Sequence, residues 1–140
     1  FTPADDHEVE PAIATEWRNQ VRSIGARILD MEPARHDVVC AWVSHLPQML
    51  ATALSAMLED EFGDAAELAG IGGRALREMT RLGASPFSMW RDVAQTNAEP
   101  IAATLLALEQ RLQRTREHLR SAELRDEFEK ANRFRARLHG

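Results

Sequence analysis

One turn of an otherwise apolar helical pattern concentrates polar side chains that could bind a ligand. Residues 36–54 read HDVVCAWVSHLPQMLATAL, and Ser44, His45, Pro47 and Gln48 fall together in the middle. In a helix, Ser44 and Gln48 share one face, whereas His45 is turned from them by about 100°. Pro47 removes a backbone hydrogen bond and predicts a kink. Buried polar groups need partners, so this turn either bonds to neighbouring elements or lines a wet pocket.

A second group of candidate binding residues occurs in REMTRLGASPFSMWRDV, at residues 77–93. Arg81 precedes Gly83 near the end of an amphipathic turn. Its planar guanidinium could bind a carboxylate, or it could only complement the dipole of a helix end. Trp90 follows on the next predicted helix, where it either packs in the core or forms one wall of a ligand pocket. Both residues therefore keep a structural and a ligand-binding interpretation.

No other residues form a recognisable catalytic or metal site. Three further histidines lack metal-ligand spacing with one another or with the single cysteine: His7, His118, His139 and Cys40. The pair His36–Asp37 is predicted to cap the long helix and to complement its dipole. GIGG at residues 70–73 lies between helical pieces, which makes it a poor signal for dinucleotide binding. The chain therefore contains no self-sufficient catalytic constellation.

From Pro33 onward, the apolar spacing predicts helices throughout. Pro33 suits a first helical turn, and the helix that it opens is predicted to be about forty ångströms long and to end near residues 61–64. Two shorter helical pieces flank the glycines at 70–73. Ser85 is predicted to cap the next helix, with Pro86 at its first position.

Two further helices are predicted in the last third of the chain. Asn97 could cap the first of them, with Pro100 in its first turn. Its apolar residues form a narrow seam that suits packing on a partner helix: Ile101, Leu105, Leu108, Leu112 and Leu119. A final helix is predicted over residues 122–138.

The first 32 residues follow a different pattern. Apolar spacing over residues 12–24 predicts a helix that ends at Gly25, and ARILDM at residues 26–31 predicts a short strand. A helix, a glycine and a strand in this order are typical of an α/β unit. A lone strand cannot satisfy its own backbone, so its sheet is expected to lie elsewhere.

The composition indicates the cellular compartment of the protein and argues against some classes of binding partner. The 140 residues, 44% of them hydrophobic, fit one globular domain. A net charge of -5 argues against nucleic acid as a partner. No apolar run approaches the ~20 residues that span a bilayer, and no signal peptide is visible, so no membrane association is expected. The single Cys40 indicates a reducing, cytoplasmic compartment. Because the chain begins with Phe1 and not Met, we expect a processed or truncated product.

Two stretches together resemble the prephenate dehydrogenase family. HDVVCAWVSHLPQMLATAL resembles the HD...A..SHLPH..A segment of that family's helical C-terminal domain. LREMTRLGASPFSMWRDVAQTN, at residues 76–97, resembles the family's (F/L)(R/K)D.TRIA.S.P.MW.DI segment and the Asn that follows it. Order, spacing and composition match from residue 33 to about residue 100, and the later helices match in type and length.

The resemblance implies an all-α dimerisation domain with long antiparallel helices, preceded by a small α/β remnant. Residues 1–32 would be the tail of a nucleotide-binding Rossmann domain, and residues 33–140 the helical dimerisation and substrate-binding domain. The implied reaction is oxidative decarboxylation of prephenate, or of arogenate, with hydride transfer to NAD or NADP, in tyrosine biosynthesis. The chain should form a homodimer and contribute a pocket for prephenate, arogenate or tyrosine. It should be inactive alone and bind no cofactor, because the family's nucleotide site lies in the Rossmann part.

The resemblance also assigns roles to the candidate site residues. Arg81 would bind a substrate carboxylate, and Ser44 would face the ring end of the substrate. The remaining positions of the implied pocket are His45, Gln48, Glu78 and Trp90. Three of this chain's residues or pairs depart from the family pattern: Gln48 replaces the second His of SHLPH, Glu78 replaces an Asp, and Arg74 with Ala75 replace glycines.

Two other hypotheses remain open from the sequence. In the first, the chain is a stand-alone helical dimer that binds tyrosine or another aromatic acid as a regulatory module, with Arg81 on the carboxylate. In the second, it is a purely structural dimer, and the polar residues of the turn lie in the core with their hydrogen bonds satisfied within the protein. Only the second predicts that Arg81→Ala leaves every ligand affinity unchanged, whereas a pocket predicts a loss of roughly 2–5 kcal/mol for a buried charge pair.

Overall fold

The computed structural model describes residues 1–2, 10–63 and 66–139. Every regular element in these ranges is helical and none is a β-strand, which confirms the predicted all-α class. The chain forms two compact units, Phe1–Ile101 and Ala102–Gly140. In chain order, the elements are α1 (Ala12–Ser23), α2 (Pro33–Cys40), a π-helical turn (Ala41–His45), α3 (Leu46–Phe62), α4 (Ala66–Ile71), α5 (Arg74–Thr80), a 3-10 turn (Arg81–Ala84), α6 (Phe87–Thr96), α7 (Ala98–Glu117) and α8 (Ala122–His139).

The segment between α1 and α2 forms two strand-like backbone hydrogen bonds, both with Phe1. As predicted, α1 ends just before Gly25, which takes a φ of +83° that favours glycine. Residues 26–31 then continue without regular secondary structure. The Phe1 ammonium donates to Leu29 O at 2.8 Å, and the Met31 N–H donates to Phe1 O at 3.0 Å. These two bonds form one rung of a parallel ladder. The predicted strand is absent from the described residues, because a strand needs a longer neighbour to satisfy its backbone.

The long helix starts at Pro33, as the sequence predicts. Its cap is Glu32, whose carboxylate accepts hydrogen bonds from Ala34 N at 2.9 Å and Arg35 N at 2.8 Å. The prediction that the His36–Asp37 pair caps this helix is wrong. Pro33 occupies the first helical position, so the cap is the residue directly before it, Glu32.

A π-helical turn lies where the sequence predicts a distortion near Pro47. Over Ala41–His45 the helix widens, and the Leu46 N–H donates to the carbonyl of Ala41, five residues back. The helical conformation nevertheless continues into α3, so that one helix runs over residues 33–62. A π turn adds one residue to the helical register and often occurs at functional sites. It therefore turns the polar residues 44–48 to a new side of the helix.

The glycine-rich joint predicted at residues 70–73 is confirmed. α4 ends at Ile71, α5 begins at Arg74, and the Gly72 N–H donates to Leu68 O at 2.6 Å. A Cβ on Gly72 would overlap that carbonyl oxygen. The joint therefore requires glycine because the helix end turns back tightly on itself.

The side chains at both ends of α6 are used for tertiary contacts. α6 begins at Phe87 without a side-chain cap, so the predicted Ser85 cap is wrong. The Ser85 hydroxyl instead donates to Gln48 Oε1 at 3.2 Å. Asn97 precedes α7, as expected of a cap, but its amide nitrogen donates to Asp37 O at 2.9 Å. Both polar residues thus connect α6 to the long helix.

The 3-10 turn approaches α3 most closely at Gly83. A Cβ at this position would overlap Ser55 Oγ and would lie 3.1 Å from Ser55 Cβ and 3.2 Å from Ala51 O. Contacts this short are tighter than ordinary van der Waals packing, so the glycine lets the backbone of the turn rest directly on α3.

In the second unit, α8 has almost the predicted bounds. Arg111 on α7 forms an ion pair with Glu127 on α8, with 2.7 Å between Nε and Oε2. α7 ends at Glu117, so Leu119 lies in the turn that follows. The predicted seam therefore ends earlier than the sequence spacing indicated.

Few side chains of the described part are buried. Among the described residues, the buried set consists of small, apolar and neutral polar side chains: Ala41, Gln48, Ala51, Asn97, Ile101 and Thr104. Several large apolar side chains of the long helix are exposed instead: Val38, Trp42, Val43, Met57 and Phe62. Exposed apolar surface on this scale is typical of an interaction site.

The long helix also meets the length and composition criteria for a membrane span. Its most apolar 18-residue window within residues 33–62 has a mean hydropathy of 1.2, and 17% of that window is buried. The expectation that no apolar stretch approaches spanning length is therefore wrong for this helix. The mean hydropathy over 18 residues stays high because the apolar residues of the window outweigh its polar ones. A single helix of this kind is weak support for a membrane span, since core helices of soluble proteins pass the same test.

The close approach at Gly83 predicts a large effect of a single methyl group. Gly83→Ala should lower the free energy of unfolding by roughly 1–3 kcal/mol, because the added Cβ forces the turn away from α3. Urea unfolding followed by circular dichroism measures this loss.

Gly73→Ala is the matched control, because a Cβ there meets nothing within 4 Å. Adding Ser55→Ala to Gly83→Ala should recover part of the loss by removing the overlapping hydroxyl. Equal stabilities of the Gly83→Ala and Gly73→Ala variants would contradict the packing described here.

Candidate functional site

Gln48 connects α3 to the turn that carries Arg81. Its amide nitrogen donates to Leu82 O at 2.8 Å and to Thr52 Oγ1 at 3.1 Å, and its amide oxygen accepts from the Ser85 hydroxyl at 3.2 Å. The residue is only 4% exposed. Gln48 thus joins the two motifs that the sequence singled out, over 34 residues of chain.

His45 connects the long helix to α6 and to Asn97. The Asn97 amide nitrogen lies 3.0 Å from His45 Nδ1 and also donates to Asp37 O. Because that nitrogen is a donor, Nδ1 must be the unprotonated acceptor, which leaves the hydrogen of the neutral ring on Nε2. The His45 and Trp90 rings meet edge to face, with their centroids 5.9 Å apart.

Burial favours the neutral form of His45. Desolvation lowers the pKa of His45 below its ordinary value of 6.5, and the nearby Asp37 carboxylate opposes this shift while His36 adds to it. A neutral ring matches the hydrogen bond from Asn97, since a protonated Nδ1 would point its hydrogen at the amide hydrogens.

The Trp90 indole is partly buried and retains a free donor. Its Nε1–H is shielded from solvent and has no hydrogen-bond partner in the part of the chain that the structure describes. Buried indole N–H groups usually find an acceptor. Trp90 therefore lies where a ligand or another chain could supply that acceptor.

Arg81 is exposed at the first position of the 3-10 turn. Its guanidinium makes no hydrogen bond or ion pair with any residue of the described part. It is therefore available to an anion, and the neighbouring Leu82 carbonyl is fixed by Gln48. An available guanidinium on an anchored turn is suited to binding a carboxylate.

Two of the predicted site residues make no side-chain hydrogen bond or ion pair with the residues around Gln48, His45 and Trp90. Ser44 is exposed, without a side-chain hydrogen bond in the described part. Glu78 forms an exposed ion pair with Arg74, four residues earlier on α5. The roles of both residues in a pocket remain predictions.

Sequence reasoning missed the tertiary roles of Asn97, Thr52 and Ser85. The Asn is part of the matching motif, but its position before a helix indicated a cap. Thr52 lies four residues after Gln48, on the same helical face, and this spacing could have suggested their hydrogen bond. No local signal indicated that Ser85 would bond to a residue 37 positions away.

One cleft of the first unit borders the Arg81 turn, since Ser55 and Thr80 are among its lining residues. It has a volume of about 440 Å³ and is bounded by α3, α4 and α5, with Leu58, Leu68 and Leu76 in its lining. Its walls are mainly apolar, whereas the predicted ligand is anionic. We therefore assign the candidate site from the convergent polar groups and not from cleft size.

The described residues show no cluster of metal ligands, and their glycine run at 70–73 belongs to a helix joint. No three His, Cys, Asp or Glu side chains in these ranges converge on a possible metal position. His7 lies outside the described residues. The glycines at 70–73 form a helix joint whose Gly72 N–H is bonded to Leu68 O, so they do not form a phosphate cradle.

Acidification should destabilise the fold through His45. The unfolded chain protonates this ring near its ordinary pKa of 6.5, whereas the folded chain protonates it only at lower pH. Between these two pKa values the unfolded state binds more protons, so the free energy of unfolding falls as the pH falls through that window. Urea unfolding at pH values from 7.5 to 5 measures the change.

The variant His45→Gln should show a weaker dependence on pH than the wild type. His118→Gln, in the second unit, is the control and should retain the wild-type dependence. If the His45→Gln variant keeps the full pH dependence, another group is responsible.

Comparisons with known proteins agree with the fold and with the motif positions. The chain matches the family described as "Prephenate dehydrogenase, dimerization domain" over residues 32–134. It is 26% identical over 86 residues to the prephenate dehydrogenase of Bacillus subtilis (strain 168), a match covering 61% of this chain and 23% of that protein.

Two solved structures have the same fold over nearly the whole chain. A prephenate dehydrogenase from A. aeolicus, in complex with hydroxyphenyl propionate and NAD+, is 25% identical, with a TM-score of 0.80 over 98% of this chain. A Synechocystis arogenate dehydrogenase is 25% identical, with a TM-score of 0.73 over 92% of this chain. The chain spans 48% of each of those two solved chains. It belongs to the prephenate dehydrogenase dimerization-domain family.

Proposed function

We propose that this chain is the substrate-binding and dimerisation part of a prephenate or arogenate dehydrogenase. The observation that carries the proposal is the unpaired Arg81 guanidinium on a turn that Gln48 anchors to α3. Family membership supports the reaction class: oxidative decarboxylation of prephenate or arogenate in tyrosine biosynthesis. The single Cys40 agrees with the cytoplasmic location that we propose for it.

The chemistry of the substrate suits the groups at the site. Prephenate carries two carboxylates, and a guanidinium can bind one of them through two parallel hydrogen bonds. The hydride donor must be held in a fixed orientation for transfer, so an anchored Arg81 would contribute by positioning the substrate. Ser44, His45, Glu78 and Trp90 are the further residues that we propose for the pocket. Among them, Trp90 offers an unused N–H donor.

The dinucleotide would be held by residues other than those described here. NAD or NADP supplies the hydride acceptor in this proposal, and the A. aeolicus relative contains NAD+. The glycines at 70–73 do not form a phosphate-binding loop in the described ranges, because they form the joint between α4 and α5 and the Gly72 N–H is bonded to Leu68 O. We therefore expect this chain to bind a substrate-like acid without turning it over.

Homodimer formation is supported by the apolar surface of the long helix. Val43 and Met57 are 69% and 67% exposed, and Trp42 and Phe62 are also exposed. A second copy of the chain could cover this surface, as the family description of a dimerization domain suggests. Burial of this apolar area would then supply stability that the small core of the described part does not provide.

A regulatory module that binds tyrosine or another aromatic acid is the second candidate function. The observation in its favour is that the described part offers a free carboxylate-binding group but no cofactor site. The two proposals differ in turnover: supplying prephenate and NAD+ to the longest form found in producing cells should yield NADH only for the dehydrogenase. A cellular form of 140 residues that binds tyrosine without turnover would favour the module.

Removing the guanidinium should weaken binding of aromatic acids. Arg81→Ala should lose roughly 2 kcal/mol of binding free energy for 3-(4-hydroxyphenyl)propionate, about a thirtyfold loss of affinity, because a charge-assisted pair is lost. Isothermal titration calorimetry measures this change.

Arg91→Ala is the control, because Arg91 is also exposed but pairs with the adjacent Asp92. Its affinity should equal that of the wild type. If the Arg81→Ala and wild-type chains bind the acid equally, or neither binds it, the pocket proposal is wrong and the structural dimer remains.

A charge on the exposed apolar face should dissociate the dimer. Met57→Glu should raise the dimer dissociation constant by about a hundredfold or more, since the interface would have to bury an unpaired carboxylate. Sedimentation velocity over a dilution series measures the dissociation constant. Circular dichroism should be unchanged, because the Met57 side chain is exposed within one chain.

Gln95→Glu adds the same charge at an exposed position of α6 and should leave the dimer intact. A monomeric wild type would contradict the proposed homodimer, and a Met57→Glu variant that dimerises as the wild type does would place the interface elsewhere.

A further inference from the structure

We propose that Gln48 is a positioning residue, which fixes the turn bearing Arg81 against α3 and does not itself contact the ligand. This inference rests on the proposed function, because it assigns Gln48 a role through the carboxylate-binding Arg81. It revises the expectation that Gln48 lines the pocket.

The hydrogen-bonding capacity of Gln48 is almost fully used within the protein. A side-chain amide has two N–H donors and an oxygen with two lone pairs. The two donors are used by Leu82 O and Thr52 Oγ1, and the oxygen accepts from Ser85. The residue is 4% exposed, so only one buried lone pair is left. A ligand could recruit the N–H donors of this amide only by breaking bonds, which would leave their present acceptors unsatisfied in the interior.

The bonded groups lie near both ends of the turn that carries Arg81. Leu82 directly follows Arg81, and Ser85 directly follows the 3-10 turn, so Gln48 holds the turn at two points. Between these points, Gly83 rests on Ala51 and Ser55 of α3. Residues 48, 51, 52 and 55 recur at helical spacing and therefore form one face of α3. That face is the surface on which the turn is held.

The amide is chemically suited to this role, and a histidine is not. A neutral imidazole has one donor and one acceptor, on opposite sides of a ring. It could not donate to Leu82 O and Thr52 Oγ1 while accepting from Ser85. The Gln that replaces the second His of the SHLPH motif thus satisfies a set of three partners that the His could not.

A positioning role predicts a specific pattern of affinity changes. If Gln48 acts through Arg81, its replacement should weaken carboxylate ligands alike, whether or not the ring carries a hydroxyl. If Gln48 touches the ring end of the ligand, its replacement should change the preference between hydroxylated and unhydroxylated rings. A ratio of two affinities separates these cases, because a general loss of folded protein cancels from the ratio.

The first experiment measures the turn itself, without ligand. Amide hydrogen exchange by NMR should be about tenfold or more faster at Ser85 in Gln48→Leu than in the wild type, because the loss of the amide's bonds frees the turn. Amides of α8 should be unchanged. Gln95→Leu, at an exposed position of α6, is the control and should match the wild type. Unchanged exchange at Ser85 would overturn the proposal, whatever the ligand does.

The second experiment titrates two probes, 3-(4-hydroxyphenyl)propionate and 3-phenylpropionate, into four chains: wild type, Gln48→Leu, Arg81→Ala and the double variant. Gln48→Leu should weaken both probes by the same factor, about three- to tenfold. In the Arg81→Ala background, Gln48→Leu should have no further effect, because its action passes through the missing guanidinium.

The outcomes separate this proposal from the proposed function. A changed ratio between the two probes, or a full additional loss in the double variant, would overturn the positioning role while leaving Arg81 as the anchor. Equal binding by wild type and Arg81→Ala would overturn the proposed function, and the exchange result would then show only that Gln48 anchors the turn. Ser85→Ala removes one of the three bonds and should give an intermediate exchange rate.

Discussion

The site depends on one constraint, which is that a buried amide must satisfy its hydrogen bonds. Gln48 lies in the helical face that supports the Arg81 turn, and it meets this constraint with partners on that turn. An unpaired amide in this position would cost free energy, so the bonds of Gln48 favour the arrangement in which the turn lies against α3. Gly83 makes the same arrangement possible sterically, because its lack of a side chain lets the turn reach the helix.

The π-turn at Ala41–His45 lies in the part of the long helix where its polar residues are found. The turn adds one residue to the helical register, and directly after it His45 meets Asn97 and Trp90 while Gln48 meets the Arg81 turn. A regular α-helix would have to serve both sets of partners with a fixed separation of about 100° per residue. The polar residues at the centre of this apolar helix are therefore its tertiary connections.

The first unit is better connected by polar contacts than by a large apolar core. Its buried apolar residues are Ala41, Ala51 and Ile101, and several large side chains of the long helix, such as Val43 and Met57, are exposed. Such a chain gains little stability from apolar burial within one copy. This is consistent with the interface for a second copy that we propose.

Local pattern determined the helices, their approximate bounds and the motifs that identify the family. The start at Pro33, the joint at 70–73 and the final helix follow from proline, glycine and apolar spacing, which act over a few residues. The free Arg81 could also be singled out from its chemistry and its place in the motif.

Only the tertiary structure decided which polar groups meet. Ser85 was expected to cap a helix, yet its hydroxyl is bonded to Gln48, and Asn97 reaches back to Asp37. The short strand predicted over residues 26–31 has no long neighbouring strand to pair with in the described residues, and these residues form no regular secondary structure. In each case the outcome depends on groups about 30 or more positions away, and no periodicity within one element encodes that distance. Sequence by itself thus determined the elements and the family, whereas packing decided which side chains hold the site and which remain free to bind.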